Sequence, residues 1–466
     1  IGSVLITALG FFLKFYLVHN FIDATFSFGV FALGVSMIEF FTPLSTFGFG
    51  GVSVRYLPKW GINNNLNNRN NFITFIGLVT LSLSCLYVIL LYFNQDKLFS
   101  IFNLDATQNE LIVFLSFLPL FLALMLVKNL ISISSQFLIG FQEVKKSVIV
   151  SDLIGFPLKV ILVVIFIYFG LDFAGYLYAE IISTTVVLLM LLYFLKQIIS
   201  KDYCFNISLD WFNKKILIYS LTFFLLGLLT KFSLLLDKWL IKEHMSLKNL
   251  GIYYMTFAFI DFFPFVLKSI NKIFAPIISE TWERKDLNEL SLLYRFFTKW
   301  TVLLSFPLVF FIVFFSNDLL LLFGSEFVGG QSVLIILAIA HSFSIMLGSV
   351  GIILQMTDNH VKAFKIAVFR TVIVIVLLFV LVPRFQMEGA AFALSIGIVI
   401  FNTLNYILLY RKLKLIPYNR DFWRICITIL FTSFVLIISF NYLDDFIPNM
   451  YWYWLVMLLV CTYITT

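Results

Sequence analysis

The chain is a succession of apolar runs about 20 residues long, separated by short polar breaks. A helical run of that length matches the ~30 Å hydrocarbon core of a bilayer. Inside a bilayer every backbone N–H and C=O must be satisfied without water, so only helices and closed barrels can span it. Barrel strands read as ~10-residue segments of alternating hydrophobicity. The runs here are longer and do not alternate. Composition agrees: 61% of the 466 residues are hydrophobic and 12% are charged, against about 25% charged in soluble chains. The expected class is an all-α polytopic membrane protein.

Apolar runs read against polar breaks predict about 14 transmembrane helices. Six cover 4–19, 28–49, 72–93, 111–135, 148–169 and 174–195, and six more cover 216–241, 252–274, 300–315, 333–356, 366–382 and 389–409. Two follow at 422–440 and from 451 onward. The chain begins at Ile1 inside an apolar run and ends at Thr466 inside another, so both terminal spans read as cut short.

Lysine and arginine set the orientation, because cytoplasmic loops carry the excess. Loops after even-numbered spans hold 21 of the 32, the opposite loops hold 5, and six lysines lie within spans. Both termini are therefore expected in the cytoplasm, in the cell (inner) membrane. The net charge of +7 then reflects attraction to anionic membrane lipids, and no nucleic-acid partner is expected. The longest loops are about 20 residues. That excludes a receptor ectodomain, the nucleotide domain of an ATP-driven pump and an extramembrane catalytic domain. No GxxxxGK[ST] phosphate loop is present, and no cofactor is expected. The histidines at 19, 244, 341 and 360 lack ligand-like spacing, so no metal is expected. Cysteines 85, 204, 426 and 461 form no CxxC pair and read as packing residues. Trp211, Trp300 and Trp423 read as an interfacial belt, and the 58 phenylalanines as lipid-facing bulk.

The two halves share landmarks. Gly175 and Ala179 open span 6, and Gly389 and Ala393 open span 12 at an offset of 214. Lys145-Lys146 and Lys362 start spans 5 and 11, and Gly29-Val30-Phe31 and Gly251-Ile252-Tyr253 mark spans 2 and 8. Two six-helix lobes repeated in parallel, as in several transporter classes, are expected at 1–200 and 201–415. Residues 416–466 would add two C-terminal helices.

At these residues the sequence resembles the polysaccharide flippases of the Wzx branch, in the multidrug/oligosaccharidyl-lipid/polysaccharide (MOP) exporter superfamily that also holds the MATE exporters and the lipid II flippase MurJ. The first repeat carries Gly29-Val30-Phe31, Gly48-Phe49-Gly50-Gly51 and Val54-Arg55-Tyr56-Leu57-Pro58. The second carries Asp237, Gly251-Ile252-Tyr253, Ala275-Pro276-Ile277-Ile278-Ser279, Leu322-Phe323-Gly324, Glu326-Phe327 and Gly389-Ala390-Ala391. The resemblance implies a MATE/MurJ-like fold. It also implies a flippase, not an enzyme, that moves undecaprenyl-diphosphate-linked oligosaccharide, such as an O-antigen unit, to the outer leaflet by alternating access. Coupling to H+ or Na+ is expected, with membrane lipids, a glycan polymerase and glycosyltransferases as further partners.

An ionised side chain at mid-bilayer costs at least ~2.5–3.5 kcal/mol, so charges inside spans face partners or water. Lys14, Lys128, Lys159, Lys231 and Lys268 are expected to line one cavity and hold the anionic diphosphate. Glu39, Asp152, Asp237 and Asp261 are the expected charge or coupling partners. Asp152 and Lys159, and likewise Asp261 and Lys268, stand seven apart, which puts each pair on one face of a regular helix. Pro43, Pro119, Pro157, Pro264 and Pro307 fall within spans, as kinks or bending points. Two alternatives stay open. A MATE-like cation-coupled drug exporter would favour acids over lysines in its cavity. A membrane-embedded glycan polymerase or ligase would carry a large outer loop with arginine or histidine chemistry, and the loop at 94–110 holds one lysine.

The orientation has a direct check. A cysteine introduced at Asn288 should react with an impermeant thiol reagent only from the cytoplasmic face; labelling from outside overturns the charge-based topology.

Overall fold

The computed structural model describes residues 2–62, 66–95, 97, 108–199, 211–357, 359–420, 422–429 and 431. Among them there is no strand, and nine helices are long and apolar enough to cross a membrane. The chain divides into two compact units, Ile1–Gly251 and Ile252–Thr466. Expected spans 13 and 14 lie outside the described residues apart from 422–429 and 431, as do Cys204 and Cys461. Cys85 and Cys426 are free.

The first unit opens with α1 (Gly2–Asn20), α2 (Ala24–Thr46), α3 (Phe49–Ile62), α4 (Leu66–Phe93) and α5 (Gln108–Gly140). It continues with α6 (Val144–Val148), a π-helical segment (Ile149–Gly155), α7 (Phe156–Tyr168), α8 (Asp172–Ile199) and α9 (Lys214–His244). Helix α5 is its central post, packed on α2, α3, α4 and α8; α9 packs on α2 and α3. Asn129 of α5, fully buried, accepts from Thr42 Oγ1 (2.8 Å) and donates to Ser45 Oγ (3.0 Å) and Ser84 Oγ (3.1 Å). One amide thereby ties α2, α4 and α5 together, and interhelical bonds of this kind contribute ~0.6–1.7 kcal/mol in a membrane.

Helix α3 corrects the sequence reading, which ran span 2 on through Phe49 and left Gly50 to Pro58 outside any helix. Phe47 adopts a left-handed conformation (φ 47°) that ends α2, and Gly48 (φ 70°) follows it. A Cβ at Gly48 would overlap the Ser220 carbonyl oxygen of α9, so only glycine permits this approach. The aromatic reading also changes. Trp211, expected at the interface, is 1% exposed, its ring 4.9 Å from Phe72 and 6.1 Å from Phe49. Phe72, Phe114, Phe121, Phe263, Phe274 and Phe323 are likewise fully buried. Between helices in a membrane, packing rather than water exclusion drives association, and flat rings with edge-to-face contacts fill that space.

In the chain beyond α9, α10 (Leu247–Ile260), α11 (Phe262–Glu283), α12 (Leu287–Phe314), α13 (Ser316–Leu321), α14 (Gln331–Leu347), α15 (Val350–Met356) and α16 (His360–Leu413) follow in order. Two expected spans here are interrupted and two others are joined. Span 8 is split at Asp261, between α10 and α11, and span 10 at Gly348 (φ 65°), between α14 and α15. Spans 11 and 12 run through α16, kinked at Gln386 (φ 52°), within the polar break read from the sequence.

The landmark glycines Gly29 and Gly251, both in the first unit, meet. A Cβ at Gly29 would overlap the Leu247 carbonyl oxygen, and one at Gly251 would overlap the Thr25 carbonyl oxygen. The start of α2 therefore lies backbone to backbone on the start of α10. Ion pairs surround this seam. Glu110 pairs with Lys242, 3% exposed, at 3.0 Å and accepts the Leu247 N–H at 3.2 Å. Lys248 pairs with Asp23 at 2.8 Å, while Asp23 caps α2 by accepting the Phe26 N–H. Partial burial raises the Asp23 carboxyl, but the hydrogen bonds from Lys248 and Phe26 outweigh it and hold the pKa below the ordinary aspartate value. The contribution of this cap and pair is therefore in force at neutral pH. It is lost only as pH falls below the ordinary value through the lowered one.

Alanine is intrinsically ~1 kcal/mol better than glycine within a helix. Gly251→Ala should nevertheless lower the melting temperature in detergent, since a methyl there meets backbone. Gly77→Ala, with nothing within 4 Å, should hold or raise it. Equal effects at the two sites overturn the seam.

Candidate functional site

Two cavities of the first unit have an ion-paired lysine on their walls. The larger, about 440 Å³, sits between α2, α3, α5 and α9 and is lined by Thr42, Gly48, Gly50, Arg55, Gln136 and Lys231 among others. The α2–α3 break creates it: stopping α2 at Thr46 and restarting at Phe49 turns Arg55 toward α9. There the Arg55 guanidinium lies 4.6 Å over the Tyr219 ring, a stacking contact that keeps its N–H edges available. Lys231 reaches Glu39 Oε2 at 2.8 Å, with side chains 34% and 40% exposed. Two cations against one carboxylate leave this cavity electropositive, and amide and hydroxyl groups complete a surface suited to anionic oxygens.

The smaller cavity, about 240 Å³, is formed by α5, the π-helical segment, α7 and α8. The Glu180 carboxylate, 8% exposed, sits between Lys128 (2.9 Å) and Lys159 (2.5 Å). Lys159 also donates to Tyr176 Oη at 3.1 Å and lies 4.9 Å from that ring's centroid. Gly155 lets α8 come close, since a Cβ there would overlap Val187.

The lysines expected in one cavity thus divide between two. Lys128 and Lys159 gather around Glu180, which was not among the expected site residues. Lys231 lines the larger cavity and pairs with Glu39. Lys14 is half-buried on α1; the Lys268 side chain lies outside the described residues. Asp152 does not line the smaller cavity with Lys159, although the seven-residue spacing put them on one face. The π-helical segment supplies the reason, because its wider turn shifts the phase between positions 152 and 159. Asp237 is buried (1% exposed) and meets Lys238 at 3.2 Å, its neighbour in sequence. Asp261, expected deep in a span, is exposed at the α10–α11 break. Among the described residues no group of three potential metal ligands occurs. Besides Glu180, the sequence reading missed Arg55 as a site residue, taking it as part of the resemblance motif and as a cytoplasmic loop charge. Its signal was present, an arginine following Gly48-Phe49-Gly50-Gly51, but α3 had not been recognised as a helix.

The chain is by class a multi-pass helical membrane protein, with an electropositive cavity in its first unit. A family model described as "Polysaccharide biosynthesis protein" matches residues 25–329, and the chain belongs to that family. Solved structures agree on the fold. The inward-closed lipid II flippase MurJ superposes with a TM-score of 0.73 at 17% identity, over 99% of this chain and 97% of that one. An inward-facing multidrug resistance MATE transporter of the MOP superfamily gives 0.69 at 16%, over 87% and 94%. A MOP superfamily transporter from Pyrococcus furiosus Vc1 gives 0.62 at 15%, over 89% and 93%. No curated protein matches the sequence. The chain therefore has the fold of these flippases and exporters.

A partly exposed ion pair such as Glu39–Lys231 contributes up to ~1 kcal/mol. Lys231→Glu, facing Glu39, should lower the melting temperature, and the double exchange Glu39→Lys with Lys231→Glu should restore most of it. Failure of the exchange to restore stability removes the pair as a contact.

Proposed function

We propose that the chain is a flippase for an undecaprenyl-diphosphate-linked oligosaccharide of the O-antigen class. It moves this lipid from the cytoplasmic to the outer leaflet of the cell membrane by alternating access between two six-helix lobes, with both termini in the cytoplasm. The observation that carries this reading is the electropositive 440 Å³ cavity holding Arg55 and Lys231. A diphosphate entering a region of low dielectric needs positive charge to offset lost hydration. Arginine supplies paired donors suited to phosphate oxygens, and lysine a compact charge on a flexible stem. Glu39 keeps the empty cavity from carrying two unopposed cations and releases Lys231 when the diphosphate arrives. An H+ or Na+ gradient drives the cycle, and glycosyltransferases and a glycan polymerase act before and after it. The family assignment supports the glycan, and the sign of the cavity charge argues against a cationic drug.

Export of lipid-linked glycan per folded molecule tests the reading. Each charge-assisted contact is worth ~1.5–3 kcal/mol, so Arg55→Gln and Lys231→Gln should each lower apparent affinity by about 10- to 150-fold. Lys231→Arg should retain part of it. Unchanged export per molecule in both Gln variants, or transport of a cationic drug instead, overturns the proposal.

A further inference from the structure

The larger cavity leaves the Lys128–Glu180–Lys159 cluster without a role, and its charge does not balance. Two ammonium groups share one carboxylate, and Tyr176 adds a neutral hydroxyl. The surrounding elements do not remove the excess. Helix α1 adds Lys14, the π-helical segment adds Asp152, and these two cancel in the count; the remaining charges of α1, α5 and α8 stand near the helix ends. The cluster lies along apolar spans, with Lys159 16% and Glu180 8% exposed. An unopposed charge in such surroundings is costly. A cavity of about 240 Å³ lies against both lysines, with Ser151, Ser183 and Thr184 on its wall. The space admits a small anion with a few waters, but not a diphosphate bearing a sugar chain.

We propose that this cavity is a second binding site, separate from the glycan cavity, for one small monovalent inorganic anion of the size of chloride, held between Lys128 and Lys159. The ion completes the charge balance of the α5–α7–α8 bundle. Glu180 is the fixed counter-charge that keeps the site monovalent. The proposal does not depend on which substrate the larger cavity carries.

The test uses the full chain in neutral-lipid nanodiscs, with gluconate as the background anion and chloride or bromide as probe. Wild type should gain thermal stability with added chloride, saturably, and bromide should give anomalous density beside Lys128 and Lys159. Lys128→Met leaves the balanced Lys159–Glu180 pair. It should fold, hold its melting temperature in gluconate and lose the chloride response at least tenfold. Glu180→Gln, with two unopposed lysines, should depend more steeply on chloride than wild type, whereas a purely structural carboxylate predicts a loss that chloride does not rescue. A chloride response equal in wild type and Lys128→Met overturns the site. So does the absence of any response. Stabilisation by an anionic phospholipid but not by halide overturns the free-ion assignment in favour of a headgroup.

Discussion

A charge within the apolar span of a membrane has to be met by another charge, by water or by a ligand. That constraint organises the first unit. Lys231 meets Glu39, Lys242 meets Glu110, and Lys128 and Lys159 meet Glu180. Each pair joins two different helices, so each is also a statement about which helices lie side by side. Where the count does not close, as around Arg55 with Lys231 and around Glu180, a cavity is present. Excess positive charge and space occur together, the condition for taking up an anion.

Irregular backbone makes those cavities possible. An unbroken α2 would carry the Gly48-to-Arg55 segment onward along its own axis, and Arg55 would not reach Tyr219. A regular helix in place of the π-helical segment would restore the seven-residue face shared by Asp152 and Lys159. In both places the deviation lies at a glycine or beside a proline: Phe47-Gly48 for the first, Gly155 and Pro157 for the second. Backbone groups freed there are tolerable at membrane depth because neighbouring protein, and not lipid, surrounds them.

The Gly29–Gly251 seam is a different kind of contact. Two helices touch through their backbones because neither has a side chain at the crossing, and the Glu110–Lys242 and Asp23–Lys248 pairs lie around it. Small residues allow the close approach on which helix packing in membranes depends, while ion pairs near the ends of spans add direction. A contact built in this way has a sharply defined geometry with modest apolar area.

The sequence by itself determined the class, because apolar run length answers directly to bilayer thickness. It marked the apolar runs in which nine membrane-length helices lie among the described residues, and the two glycines that form the seam. It named Lys128, Lys159, Lys231 and Glu39 because a charge inside an apolar run needs a reason wherever it points. Only the tertiary structure decided which charge meets which: that Lys159 turns to Glu180 and away from Asp152, that Lys231 lies with Arg55, and that Trp211 is core. The physical reason is phase. Sequence spacing converts to direction only along a regular helix, and the α2–α3 break, the π-helical turn and the split at Asp261 each reset that direction where the functional side chains stand.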